Sequence, residues 1–309
     1  MSLSLAESAK FSTTDLQRGV IETFVEQSSI LDRIPMLTIN GNAYAYNEES
    51  ELPGVEFRSV GESYRESTGT VNQLFESLVI LGGDADVDRF EVKTRSNRIN
   101  LRVEQTRMKV KSASMKFNET FFNGDTKKDP KSFDGLRKRL AGSQILAANI
   151  PVVGNGSSDA LTFFDKLDEL VGSVPGIDGG NGAIYTNALV IGKIRSAARR
   201  VGGVDQLRED LTKKVVTRYN GIPILDAGQT NTGADILAPT VNGSEMYAVR
   251  FGGDEEDRAV TGLTNGGVQA DDLGQIKSMP VYRTRIEFYC GIGVFGGKAA
   301  ARLTGVLNG

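Results

Sequence analysis

The stretch Ser96 to Phe122 constrains this chain more than any other. Ile99, Val103, Thr106, Val110, Ala113, Phe117 and Phe121 recur every three or four residues, and Leu101, Met108, Met115 and Phe122 repeat in sevens beside them. The spacing predicts a helix with one broad apolar face. Its other positions carry Arg98, Arg102, Arg107, Lys109, Lys111 and Lys116, with Arg95 just before it, and Gly124 ends the pattern. About 26 residues at ~1.5 Å each make a rod of roughly 39 Å, longer than the usual domain helix. A rod apolar on one side and basic on the other is suited to spanning and connecting.

Ahead of the rod, residues 1 to about 12 read as an arm. Ser12, Thr13 and Thr14 offer N-caps to a helix running to about Leu31, with Leu16, Val20, Ile21, Phe24 and Val25 on one side and Pro35 beyond its end. The period then changes to alternation, at Ala43–Tyr46 and again at Val71–Ile80, which predicts two strands. About twenty residues with little that could build a core separate them. A connection that long has little to bury and is read as the tip of a projecting hairpin.

Charge divides sharply between these two segments. Residues 41 to 80 hold seven glutamates against two arginines, whereas residues 93 to 116 hold eight lysines or arginines against Glu104 alone. Exposed pairs are worth little singly, but many together set register and encounter rate. Glu48, Glu49, Glu51, Glu56, Glu62 and Glu66 are therefore expected to approach Arg95, Arg98, Arg102 and Arg107 of a neighbouring copy.

After the rod, Phe133–Leu140 reads as a short amphipathic helix and residues 149 to 160 as a boundary. Helices are expected over residues 159 to 171, 188 to 201 and 205 to 219. Strands are expected at 183 to 185, 221 to 226, 245 to 251 and 281 to 289, with 228 to 243 and 252 to 274 as loops. The chain is thus a mixed α+β protein.

Catalysis finds little support. The sequence contains no histidine, the commonest general base and metal ligand, and Cys290 is its single cysteine. A net charge of -3 argues against wholesale nucleic-acid binding. Gly291, Gly293 and Gly296 follow a strand in the dinucleotide pattern, but the helix, strand and acidic residue that must come next do not follow, so close backbone packing is the simpler reading. Asp84, Asp86 and Asp88 have the spacing that opens a calcium loop. Arg89 replaces the glycine that such a loop needs and Arg95 its bidentate glutamate, so these carboxylates are expected to supply acidic charge ahead of a helix. No catalytic residue, cofactor or metal is expected.

The ordered set of parts is nevertheless specific. An N-terminal arm and helix, an acidic hairpin, Leu81-Gly-Gly-Asp-Ala-Asp-Val-Asp-Arg-Phe90, a long helix ending Phe121-Phe-Asn-Gly-Asp125, Phe133-Asp-Gly-Leu-Arg-Lys-Arg-Leu140 and a mixed module containing Asn187-Ala-Leu-Val-Ile-Gly-Lys-Ile-Arg195 together resemble a tailed-bacteriophage major capsid protein of the Hong Kong 97-like fold. The resemblance implies an N-arm (1–40), an extended loop (41–83), a peripheral P-domain with a spine helix (84–144 and 252–291) and an axial A-domain (145–251 and 292–309). It implies assembly of this homo-oligomer into pentamers and hexamers of an icosahedral shell around double-stranded DNA, contacted non-specifically. A separate scaffolding protein, a portal and a decoration protein would be its partners, with no membrane involved. The product would be a virion capsid assembled in the bacterial host cytoplasm. An encapsulin-type nanocompartment shell is the alternative. Some relatives weld subunits through a lysine on the extended loop. No lysine lies between Lys10 and Lys93 here, so no such bond is expected.

Overall fold

The computed structural model describes residues 3–5, 15–95, 100–154, 157–201, 207–209 and 215–307. The elements are β1 (Leu3–Ser4), α1 (Asp15–Glu26), β2 (Pro35–Thr38), β3 (Ala43–Glu51), β4 (Thr70–Ser77), β5 (Val79–Asp88), α2 (Arg89–Arg95), α3 (Leu101–Asn123), α4 (Leu136–Arg139), β6 (Ile145–Pro151), α5 (Ser157–Gly172), β7 (Gly182–Thr186), α6 (Ala188–Val201), β8 (Leu207–Glu209), β9 (Val215–Tyr219), β10 (Ile222–Asp226), β11 (Ser244–Arg250), β12 (Val260–Gln275), β13 (Val281–Val294) and β14 (Ala300–Leu307). They form a five-stranded sheet ordered β1-β2-β12-β13-β5, a seven-stranded sheet ordered β6-β14-β11-β7-β10-β9-β8, and the separate ribbon β3-β4.

The expected rod is α3, a helix of 23 residues and roughly 35 Å. Asn100 accepts from the Val103 N–H and caps its start, so the helix begins at Leu101; residues 96 to 99 lie outside the described part. Thr106, Val110, Ala113, Ser114, Phe117, Asn118, Phe121 and Phe122 are buried, but Val103 and Met108 are exposed. The apolar face is therefore covered only along the C-terminal two-thirds. At its far end Gly124 has an ordinary φ of -55°. A Cβ there would come within 2.3 Å of the Phe133 carbonyl oxygen, so crowding, not a left-handed turn, demands glycine.

One core runs along α3. Phe117 packs on Phe288 of the five-stranded sheet, which also meets Phe24 of α1 edge-on, while Phe122 packs on Tyr185 and Tyr247 of the seven-stranded sheet. Ser28 Oγ donates to Asn118 Oδ1 at 2.5 Å and Ser114 Oγ to the Phe24 carbonyl at 2.9 Å, fixing α1 against the rod. A second core lies on the opposite face of the seven-stranded sheet, where Phe163, Leu167, Ile191 and Ile194 of α5 and α6 cover Ile184, Met246 and Leu303.

Four expectations from the sequence are corrected. The first helix stops at Glu26, because Ser28 Oγ accepts from the Ile30 and Leu31 N–H groups and starts a separate turn. The short helix within Phe133–Leu140 is confined to Leu136–Arg139. The helix expected over 205 to 219 is absent from its described residues, which form β8 and β9. Asn220 and Gly221, with φ of 49° and 83°, make the tight turn joining β9 to β10, an arrangement that Asn-Gly favours. The expected loop 252 to 274 is strand from Val260 onward, kinked at Gly266 and Gly267 where the β12–β13 register shifts.

Candidate assembly interface

The hairpin is a ribbon whose strands, among the described residues, pair only with each other, from Ala43 opposite Ser77 to Glu51 opposite Thr70. Residues 52 to 69 beyond it have no regular structure and are exposed throughout. Local bonds still shape this tip: Glu56 accepts from the Arg65 N–H at 2.9 Å, Glu62 accepts from the Ser59 N–H at 3.0 Å, and Arg58 lies over the Tyr64 ring. Leu52 is largely exposed, and Val55, Phe57 and Val60 are fully exposed. Four large apolar side chains are thus held in water within nine residues of one another along the chain.

The base of the hairpin is held on both strands. Tyr46 meets Phe295 edge-on with centroids 4.8 Å apart, and Glu255 accepts from the Tyr44 hydroxyl and the Asn47 N–H. On β4, Glu76 takes a bidentate pair from Arg139, whose Nη2 lies 2.7 Å from Glu76 Oε2. Both side chains are nearly covered, at 15% and 17% exposure. Burial, with Glu76 beside it, pushes the Tyr46 phenol up to about 12. Between base and body lies a cleft of about 770 Å³, where Glu48, Glu255 and Glu256 mix with Arg258 and Lys298. A polar lining of both signs differs from the apolar pockets that hold small ligands.

Arg139 belongs to a run of three basic residues, each serving a different part of the molecule. Arg137 donates through Nε and Nη2 to Glu245 of β11, which also accepts from Arg302 and the Tyr247 hydroxyl. Burial raises the Glu245 pKa, but the hydrogen bonds from Arg137, Arg302 and Tyr247 outweigh it and hold the carboxyl below its ordinary range. Lys138 bonds Asp125 at 2.9 Å and Asp134 at 2.7 Å, closing its own loop. Sequence reasoning singles out none of these pairings, although three successive basic residues on so short a helix are the available signal.

The glutamates and arginines expected to meet across copies are distributed as follows. Glu56, Glu62 and Glu66 lie on the exposed tip, and Glu48 is half-buried at the cleft. Arg107 is exposed on α3, whereas Arg102 pairs with Asp272 of its own chain and stacks over Tyr282. The side chains of Glu49, Glu51 and Arg95, and all of Arg98, lie outside the described residues. Asp84 and Asp86 stand on β5, not in a pre-helix loop, and pair with Arg285 and Arg283. Only Asp88 serves the helix start, accepting from the Phe90 N–H at 2.7 Å. The Gly291 region is strand, and a Cβ on Gly293 would lie 2.6 Å from the Phe295 ring, as the packing reading requires.

Comparison with known proteins places this geometry. The family model described as major capsid protein GP7 matches residues 13–162. No curated protein matches the chain. Among solved structures, the holo-SrpI encapsulin complex from Synechococcus elongatus PCC 7942 aligns at a TM-score of 0.67 and 15% identity, covering 100% of this chain and 97% of that one. The capsid of the native GTA particle aligns at 0.64 and 12% identity over 91% and 90% of the two chains. The Mycobacterium phage Bobi structure aligns at 0.60 and 13% identity over 90% of each. Identities this low establish the fold, and the family model bears on residues 13–162. Residues 13–162 thus match the major capsid protein GP7 family model, and nine-tenths or more of the chain shares the Hong Kong 97-like fold of these shell proteins.

Proposed function

We propose that this subunit forms the pentamers and hexamers of an icosahedral phage head enclosing double-stranded DNA. The five-stranded sheet with α3 then serves as the P-domain, the seven-stranded sheet with α5 and α6 as the A-domain, and the β3-β4 ribbon as the extended loop. The observation that carries this reading is the exposed apolar tip, Leu52, Val55, Phe57 and Val60, which has no seat on its own chain. A second copy would cover these side chains, with Glu56, Glu62 and Glu66 near Arg107 and, beyond the described side chains, Glu49 and Glu51 near Arg95 and Arg98. Arg102 would join them only by leaving Asp272.

Scaffolding, portal and decoration proteins are the partners this reading calls for, and the bacterial host cytoplasm is the site of assembly. A weakly acidic subunit suits a container for DNA, because a strongly basic wall would retain the strand being threaded in. The full-length likeness to an encapsulin supports a second reading, a shell around a protein cargo. Electron microscopy of particles purified from infected cells, with assay of their contents, separates the two. Nuclease-protected DNA supports the head; a packaged enzyme without nucleic acid supports the compartment; material that forms no closed shell overturns both.

A further inference from the structure

Among the described residues the β3-β4 ribbon pairs with no other strand, and an isolated two-stranded ribbon is marginal in water. Its direction therefore depends on what grips its base. The Tyr44 and Tyr46 contacts hold β3. On β4 the charged grip is Glu76, clasped by Arg139 through two nearly covered, parallel hydrogen bonds.

Arg139 is itself immobilised. Its Nε donates to the Asp134 carbonyl at 2.6 Å, and the Gly135 N–H, which opens α4, donates to the Gly124 carbonyl at 3.0 Å. A Cβ on Gly135 would lie 2.5 Å from the Thr120 carbonyl oxygen, so α4 sits directly on the end of α3. Residues two apart on a helix point away from each other. Arg137 thus holds the seven-stranded sheet from one side of α4 while Arg139 holds the hairpin from the other.

We propose that the Glu76–Arg139 pair is a latch that presets the angle of the hairpin in the free subunit, presenting its tip before a neighbouring copy arrives. Glu76 and Arg139 are positioning residues. A ribbon already aimed loses less conformational freedom on docking, so the latch lowers the concentration at which subunits assemble. This inference rests on the shell-forming reading, but its test does not depend on it.

The test uses the full chain held below its assembly concentration, with Glu76→Gln, Arg139→Gln and the exchanged pair Glu76→Arg/Arg139→Glu. Amide hydrogen exchange is followed in 43–51 and 70–77 against the α3 amides, and light scattering gives the assembly threshold. Each single variant should speed exchange in the ribbon roughly tenfold relative to α3 and raise the threshold, and the exchanged pair should recover part of both. Should the glutamine variants not fold, Glu76→Asp keeps the charge, shortens the reach and is read in the same way. A general loss of thermal stability without selective exchange in the ribbon overturns the latch. If the unaltered chain forms no shell, the shell reading fails while ribbon exchange still decides for or against the latch.

Discussion

Asp84 and Arg285 stand directly opposite each other on β5 and β13 and share two parallel hydrogen bonds, of 2.8 and 3.0 Å. Two residues along each strand, Asp86 and Arg283 repeat the arrangement at 2.7 and 2.6 Å, and Arg283 also reaches Asp84 at 3.1 Å. A doubly bonded ladder of this kind holds register as well as charge, since a slip by one residue would turn every member to the other face.

The ladder predicts a pH-dependent contribution to stability. The hydrogen bond from Arg285, then the charges of Arg285 and Arg283, hold the Asp84 carboxyl below its ordinary range despite partial burial. A carboxylate whose folded pKa is depressed contributes stability above its unfolded value of about 3.9, and loses it as pH falls through the folded value. Asp84→Asn should therefore lower the thermal midpoint by roughly 1–3 °C at pH 7, a modest figure because the pair is partly exposed. From about pH 4 downward the gap between the variant and the parent should narrow, closing below the depressed folded value. Melting curves at pH 7 and pH 3 check this, and a gap that widens in acid would contradict it.

Two glycines should respond in opposite ways to alanine. Gly19 is exposed within α1, and a Cβ added there would meet nothing within 4 Å, so Gly19→Ala should stabilise by up to ~1 kcal/mol through helix propensity. Gly135 is pressed against the Thr120 and Phe121 carbonyl oxygens and the Gly124 nitrogen, all within 2.9 Å of where its Cβ would stand. Gly135→Ala should cost about 1–3 kcal/mol as α4 is pushed off the end of α3. Denaturant midpoints of the two variants provide the comparison.

Glu245 holds two arginines at once. Its side chain is 13% exposed and accepts from Arg137, Arg302 and Tyr247. Removing its charge leaves both guanidinium groups without their counter-ion; the Arg302 pair is nearly covered, but Arg137 is 39% exposed, so the loss should fall toward or below the lower end of the roughly 3–5 kcal/mol that breaking a fully buried pair costs. Glu245→Gln should thus destabilise more than Asp84→Asn, whose partner Arg285 is 42% exposed. Chemical denaturation of both variants in one buffer gives the ranking, and equal losses would refute it.

These two sites also mark the limit of what the sequence discloses. The long helix is legible because its signal is local: Val110, Phe117 and Phe121 follow a 3.6-residue period and are buried as that period requires. The hairpin is legible for the same reason. The role of Asp84 is hidden because its partner lies 201 residues away, and no local pattern encodes a cross-strand pair of that separation. Within residues 41 to 80 Glu76 is one of seven glutamates, yet its bond to Arg139, 63 residues on, distinguishes it from the exposed ones. β9 has apparent helical spacing, but Val215-Val-Thr-Arg-Tyr219 is rich in β-branched residues and Asn220-Gly221 follows; the turn chemistry outranks the spacing.

The hairpin tip separates folding from assembly. Phe57 and Val60 make no core contact in the free subunit, so Phe57→Ser with Val60→Ser should leave its stability within about 0.5 kcal/mol of the parent. In a shell the same side chains would be covered, and full burial of an aromatic or branched side chain is worth roughly 1.5–3 kcal/mol, once per subunit. The double variant should therefore fold normally and need at least about tenfold more protein to assemble. Reversing Glu56, Glu62 and Glu66 to lysine should also impair assembly, with a defect that changes between ~0.05 and 1 M salt as the screening length shortens toward about 3 Å. The serine defect should change little over that range, because apolar burial is not screened. Light scattering against protein and salt concentration resolves the two contributions. Assembly of the serine variant at the parent's threshold would show that the tip is not buried by a neighbour.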